Sequence, residues 1–125
     1  MGTGTLITNS GRLIALNRTF KAVPDYTAPI NFEVGIGTAT PSPADTALAS
    51  WTFTKATSAV TFDEPNLNVT TQGVLLTTEA NGVTLSEFGL FNADTPAKMM
   101  SHAVFMGITK DASVQVIITE KDVIN

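Results

Sequence analysis

The spacing of apolar and polar positions along the chain changes near residue 30. Between residues 8 and 24, apolar side chains recur at helical spacing, with Leu13, Leu16 and Phe20 at positions i, i+3 and i+7. From residue 30 onward, apolar and polar residues alternate in short runs that are typical of half-buried strands. The pattern therefore predicts one amino-terminal helix followed by a β-rich region.

The predicted helix spans residues 9–22. Asn9 or Ser10 can cap its first free amides, and Pro24 favours an end shortly before that position. We expect its apolar face to pack against the sheets, and this face consists of Leu13, Leu16 and Phe20. Most of the opposite face is basic, with side chains from Arg12, Arg18 and Lys21.

The alternation is clear in "INFEVGIG", where Ile30, Phe32, Val34 and Ile36 share one face. Further strands are predicted at residues 51–55, 58–62, 67–71, 73–78, 83–91, 102–108 and 113–119. The core is expected to include Phe32, Val34, Phe88 and Leu90. A short helical turn is predicted at residues 43–49, because Ser42 can cap it and Pro43 suits the first helical position. Residues 120–125 are interpreted as a tail.

Turn residues separate the predicted strands. Asn81 and Gly82 lie between two apolar runs and predict a hairpin, because both residue types tolerate a positive φ. "KDAS" at residues 110–113 predicts a second hairpin turn, and residues 92–97 a longer loop. The expected fold is an all-β antiparallel sandwich, jelly-roll-like or a small barrel, in a single domain of residues 1–125.

Composition restricts the classes of partner. Charged residues make up only 14% of the chain, against roughly a quarter in typical soluble proteins. The net charge of −4 gives no electrostatic reason to bind nucleic acid. Cysteine is absent, no apolar run is long enough to cross a bilayer, and the opening "MGTGTL" lacks the features of a secretion signal. We therefore expect neither a nucleic-acid nor a membrane partner.

Little in the sequence points to catalysis, and we expect a non-enzymatic protein without a cofactor. His102 is the only histidine, and it lies in an apolar strand where a structural role is more common. Ser101 cannot act with it as a nucleophile–base pair, since adjacent strand residues face opposite sides. "VGIGTATP" lacks the third glycine of a dinucleotide-binding turn, and no run of acidic residues has metal-ligand spacing.

A few residues are candidates for other roles. Glu87 interrupts an apolar run, so it either faces solvent or is buried beside a cation such as Arg12 or Arg18. Glu120 and Asp122 share a side only if the last strand continues; otherwise they belong to a solvated tail. Met99, Met100 and Met106 are either core filler or an adaptable contact surface. The candidate partner-binding residues are Arg12, Arg18, Lys21, Met99, Met100 and Trp51.

Four segments in order resemble one known family. They are "TNSGRLIALNRTFKA", "INFEVGIGTATPSPADTAL", "VTLSEFGLFNADTPAKMMSHAVF" and "ITKDASVQVIIT". Together they resemble the amino-terminal module of phage tail-collar fibre proteins and related small virion proteins. The matches fall on Thr8 to Gly11, Val34 to Gly37, Asp45 to Leu48 and Glu87 to Asn92. Asn92 stands where the family usually has Asp, and residues 51–73 match no part of the pattern.

The resemblance implies a virion structural protein that is assembled in the host cytoplasm, forms a homo-oligomer and contacts other virion proteins. Because no fibre shaft follows, we expect a fibre-attachment or fibre-like component of the tail, neck or baseplate. Capsid decoration is an alternative, and a carbohydrate-binding module that stacks sugars on Trp51 and Tyr26 is another. The basic helix residues either orient docking on an acidic partner or simply solvate one helix face.

Overall fold

A computed structural model describes residues 5–123, which form eight strands and one helix. In chain order these are β1 (Leu6–Ile7), α1 (Asn9–Phe20), β2 (Asn31–Gly35), β3 (Trp51–Ala56), β4 (Ala59–Asp63), β5 (Asn68–Leu75), β6 (Val83–Phe91), β7 (Met99–Lys110) and β8 (Val116–Val123). The strands form two antiparallel sheets that pack face to face. The predicted all-β sandwich with an amino-terminal helix is confirmed, whereas the small-barrel alternative is wrong because the sheets do not close.

The larger sheet has the strand order β1-β7-β6-β2-β3. Its central strand β6 is buried on both faces from Leu85 to Phe91. A bulge between Leu85 and Glu87 shifts the alternation, so that Leu85 and Phe88 both join the core between the sheets. The other face of β6 lies beneath residues 36–50, which connect β2 to β3 and are called the 36–50 loop.

The smaller sheet has the order β4-β5-β8 and covers the inner face of the larger one. Strand β5 is continuous, so the predicted division into strands at 67–71 and 73–78 is wrong. Gly73 does not interrupt the strand. Instead, the ring of Phe32 occupies the space beside it, where an added Cβ would come within 2.9 Å of the ring carbons.

The core contains the predicted apolar residues. Phe32, Val34, Phe88 and Leu90 are all buried, which confirms their predicted structural role. The rings of Phe32 and Phe88 stack with centroids 5.6 Å apart, in the distance range that is favourable for aromatic pairs. The alternation in β2 and β6 therefore identified these inward faces correctly.

The helix is oriented differently from the prediction. Its cap is Thr8, whose hydroxyl accepts a hydrogen bond from the Gly11 amide at 3.0 Å and donates one to the Met99 carbonyl at 2.9 Å. The residues that face β7 are Gly11 and Ile14. The predicted packing of the apolar stripe is wrong, because three of its side chains are exposed: Leu13, Leu16 and Phe20.

The turn predictions had mixed outcomes. Residues 92–97 lie in the loop of the β6–β7 hairpin, as expected. The hairpins predicted at Asn81-Gly82 and at residues 110–113 are wrong, because the first connects β5 to β6 and the second β7 to β8, in different sheets. Of this pair Gly82 has a positive φ of 87° and Asn81 does not; Asn81 accepts a hydrogen bond from Lys110 Nζ at 2.7 Å.

Two further boundaries differ from the expectation. The helical turn predicted at residues 43–49 is only a tight turn, closed by a 3.0 Å hydrogen bond from the Asp45 amide to the Ser42 carbonyl. The predicted tail is wrong through residue 123, because β8 continues to Val123 and keeps pairing with β5. Residues 124 and 125 of that prediction lie outside the described residues.

Candidate functional site

The outer face of β6 and β7 carries a buried cluster of ionisable side chains. Glu87 on β6 and His102 on β7 are diagonal neighbours, since Glu87 pairs with Val104 and His102 with Gly89. The Glu87 Oε1 atom lies 3.0 Å from His102 Nε2, and Asp45 Oδ2 lies 2.8 Å from His102 Nδ1. Strand pairing and the 36–50 loop together bring these three residues into one chain of contacts.

Glu87 binds the 36–50 loop through its carboxylate. Its oxygens accept hydrogen bonds from the amides of Gly37 at 2.9 Å, Ala49 at 3.0 Å and Ser50 at 2.7 Å. Burial alone would raise the pKa of Glu87, but these bonds and the one to His102 hold it below the ordinary value. Arg12 and Arg18 do not contact Glu87, so the predicted guanidinium partner is wrong and the partner is His102.

His102 has a carboxylate at each ring nitrogen. A neutral imidazole has one N–H and can donate to only one of them, whereas a doubly protonated ring donates to both. For Asp45, burial would raise the pKa, but hydrogen bonds from the Ser42 amide and His102 lower it overall. The geometry therefore suits a cationic ring between two anions, which fastens the 36–50 loop to the sheet.

The side chains of this cluster are engaged with one another and with the loop. His102 is only 2% exposed, and both of its ring nitrogens are already occupied. As predicted, Ser101 faces the opposite side of β7, where its hydroxyl donates to Glu120 Oε1 at 2.7 Å. Within residues 5–123, no group of three or more His, Asp or Glu side chains is arranged to hold a metal ion. The cluster is a structural tie between elements.

A second acidic cluster lies between the sheets. Glu120 and Asp122 are both buried on the inner face of β8, because two-residue spacing places them on the same side of a continuous strand. Burial, and for Glu120 also the negative charge of Asp122, raises both pKa values, that of Glu120 strongly. The sequence contained a signal for this arrangement, which the tail interpretation missed. It is the two-residue spacing of Val116, Ile118, Glu120 and Asp122 along one strand face.

Comparisons with known proteins do not assign a family. No protein-family model, curated protein or solved structure matches the chain. The function must therefore be inferred from the residues of this chain, and its exposed side chains are described next.

The exposed side of α1 carries what we call the outer helix stripe, formed by Leu13, Leu16 and Phe20. These side chains are 46%, 57% and 80% exposed, and they lie on the side of the helix opposite Gly11 and Ile14. A helix on a protein surface usually has one apolar face, so the second face is typical of a contact with another molecule. The helix has 12 residues, and within residues 5–123 no helix has the length and apolarity needed to cross a bilayer.

The three basic candidates are exposed but do not act as one group. Arg18 donates to the Tyr26 carbonyl at 2.8 Å, and Lys21 forms an ion pair with Asp25 at 2.7 Å. Arg12 donates a hydrogen bond to Asn9 Oδ1 at 3.2 Å, forms no ion pair within residues 5–123, and lines a groove between α1 and β8. Arg12 is therefore the basic helix residue with the most freedom to meet a partner.

The other partner-binding candidates divide between core and surface. Met99 is fully buried and packs with Leu48 and Phe91, so its predicted availability to a partner is wrong. Met100 is half-buried and lines the same groove as Arg12. Trp51 is 60% exposed, and its indole N–H donates to Thr54 at 2.7 Å. Met100 and Trp51 are thus accessible, whereas Met99 is a core residue.

Proposed function

We propose that this protein is a non-enzymatic structural subunit that works by binding neighbouring protein subunits. The outer helix stripe is the observation that carries the proposal, because three large apolar side chains share one exposed face. The buried cluster around His102 also supports the proposal. The only histidine of the chain is used to fasten a loop, so it offers no free acid or base to a substrate.

We further propose that the neighbouring subunits belong to a bacteriophage particle, with this protein as a tail, neck or baseplate fibre-attachment component. The family resemblance of residues 8–11, 34–37, 45–48 and 87–92 supports this role. Two of these segments contain members of the buried cluster, Asp45 and Glu87. Their contacts with His102 would explain why the fold needs these residues of the motif. The protein would be assembled in the host cytoplasm and stay in the virion.

Immunogold labelling of virus particles from the strain that carries the gene tests this role. An antibody against the purified protein should label the tail or its junction with the head, while preimmune serum gives no signal. Label spread over the head would reject the tail assignment in favour of capsid decoration. Particles without label would contradict the virion role altogether.

Exposure of Trp51 favours a second candidate, a carbohydrate-binding module, because exposed aromatic rings can stack on sugars. Tyr26, the other aromatic expected to take part, is half-buried and has the Lys98 ammonium 5.3 Å from its ring centroid. A glycan array would test this candidate. Binding that is lost in Trp51→Ala would support it, and a signal no higher than background would reject it.

A further inference from the structure

An apolar groove runs between α1 and the end of β8. We call it the helix groove, and the residues that matter here are Ile7, Arg12, Leu16, Met100 and Val123. Its volume is about 440 Å³. Leu16 belongs to both the groove and the outer helix stripe, so the two form one continuous apolar surface. Arg12 and the neighbouring Lys121 give the groove a basic rim on an otherwise acidic protein.

The β4–β5 hairpin ends in an exposed apolar and acidic tip. This hairpin tip comprises residues 62–67, in which Phe62 and Leu67 are 74% and 75% exposed. Asp63 and Glu64 lie between them and carry negative charge. Leu67 has a φ of 55°, a left-handed conformation that is strained for a residue other than glycine. A strained, exposed leucine is unexpected unless its side chain has a contact to make.

The hairpin tip and the helix groove lie side by side. Asp63 pairs with Asn68 across the hairpin, and Asn68 pairs with Val123 at the end of β8. Asp122 lines both the groove and the cleft beneath Phe62 and Leu67. An adjacent knob and groove can be matched twice by a two-fold axis, because each copy then presents both features to the other.

The charges of the two features are complementary. Within residues 5–123, Arg12, Lys121 and Glu64 form no ion pair, although lysine–carboxylate pairs are found elsewhere, between Lys21 and Asp25 and between Lys55 and Glu79. The basic rim of the groove therefore suits the acidic hairpin tip, and both belong to the same molecule.

We propose that two copies of this chain form a two-fold dimer in which the hairpin tip of each copy enters the helix groove of the other. Phe62 and Leu67 cover the apolar wall that includes Leu16, and Glu64 pairs with Arg12 at the rim. The inference deepens and rests on the proposed function, because it names the partner and the surface of a subunit-binding protein. Burial of the apolar side chains supplies affinity, and the charges set the register.

Reversal of the two charges tests the dimer by sedimentation equilibrium. The wild type should be a dimer at micromolar concentration, and Arg12→Glu or Glu64→Arg should each weaken the dimer on the order of 100-fold through like-charge contacts. A mixture of the two single variants should form a heterodimer. The acidic tip of Arg12→Glu then meets the basic groove of Glu64→Arg, and the basic tip of Glu64→Arg meets the acidic groove of Arg12→Glu. The double variant should dimerise with itself.

Two further variants separate a lost contact from a lost fold. Leu67→Gly removes the exposed side chain at a position with positive φ, where glycine is favoured, so it should weaken the dimer without lowering the thermal stability of the monomer. Ile117→Glu is the matched control, because Ile117 is 56% exposed near the opposite end of β8, and it should leave the dimer unchanged. Circular dichroism melts verify the fold of each variant.

A monomeric wild type, an assembly larger than a dimer, or single charge variants that still dimerise would each overturn the proposal. So would two dissociated single variants that fail to associate when mixed. The proposed function fails separately. If the particles are labelled but the purified protein is a monomer, the virion role stands and the dimer is rejected. If the protein is a dimer but the particles are not labelled, the dimer stands and the virion role is rejected.

Discussion

At the scale of single residues, Glu87 links strands to a loop that has no regular structure of its own. Its carboxylate accepts three loop amides and contacts His102, while it is fully buried. The Ser86 hydroxyl adds a bond to the Gly37 carbonyl at 2.7 Å. Buried amides need acceptors, and one carboxylate with two oxygens provides several at once. The 36–50 loop therefore depends on this residue.

Replacement of Glu87 by alanine should strongly destabilise the fold. The change removes the acceptor of three loop amides and leaves His102 with a single carboxylate, so we expect a loss of roughly 3–5 kcal/mol in the free energy of unfolding. Urea denaturation followed by circular dichroism measures it. Asp25→Ala is the control, because its ion pair with Lys21 is exposed to solvent and screened, so its loss should change stability little. If both variants lost the same free energy of unfolding, Glu87 would not be the residue that holds the 36–50 loop on the sheet.

At the scale of elements, the position of α1 depends on a close contact of its backbone with β7. Gly11 packs directly on the Met100 carbonyl, and a Cβ at this position would overlap that oxygen. The Thr8 amide and hydroxyl also bind the carbonyls of Met100 and Met99. Glycine is therefore needed here for space, although it is a weak helix former.

Gly11→Ala should displace the helix from the sheet. Alanine favours an isolated helix by about 1 kcal/mol, yet the overlap with Met100 should outweigh this and destabilise the protein by at least about 2 kcal/mol. Thr19→Ala on the exposed side of the same helix is the control, and it should change stability by less than about 0.5 kcal/mol. If Gly11→Ala were the more stable protein, the close packing would be refuted.

The elements were predictable where local pattern decides them. Alternation located β2 and β6 and their buried phenylalanines, because the period of two is a property of the strand itself. The orientation of α1 was not predictable in this way. Its periodic stripe shows that one face is apolar, but the face that packs inward is decided by the small residue Gly11. Turn residues likewise cannot distinguish a hairpin from a crossing between sheets.

The polar clusters required the three-dimensional fold. His102 lies 15 residues from Glu87 and 57 residues from Asp45 in the sequence, so no local spacing connects the three residues. Burial of Glu87 was one of two predicted alternatives, but its partner could be found only from strand register and loop path. The acids of β8 differ, because their alternation with Val116 and Ile118 was visible in the sequence.

At the scale of the whole molecule, the interior of the sandwich is apolar around Phe32 and Phe88 and acidic near the end of β8. Glu120 Oε2 and Asp122 Oδ1 are buried without a conventional hydrogen-bond partner within residues 5–123. A proton held on Glu120 allows a hydrogen bond between the two carboxyl groups. The folded chain therefore retains a proton that an unfolded chain releases at lower pH.

This retained proton should make the protein less stable as pH rises. Burial raises the pKa of both carboxyls, so above the ordinary pKa of glutamate the folded state binds more protons than the unfolded state, and stability falls until the raised pKa is passed. Glu120→Gln needs no proton. It should be the more stable protein at about pH 8, by roughly 1.4 kcal/mol for each unit by which the pKa is raised, and similar to the wild type at about pH 4.

Glu79→Gln provides a control of opposite sign. The hydrogen bond from Lys55, with a second from the Leu76 amide, holds the pKa of Glu79 below its ordinary value, so its charge stabilises the fold above that value and the variant should lose stability at neutral pH. Urea denaturation of the three proteins between about pH 4 and about pH 8 measures both effects. If Glu120→Gln and the wild type show parallel pH profiles, the proton between the sheets is absent, and the two acids must be stabilised in some other way.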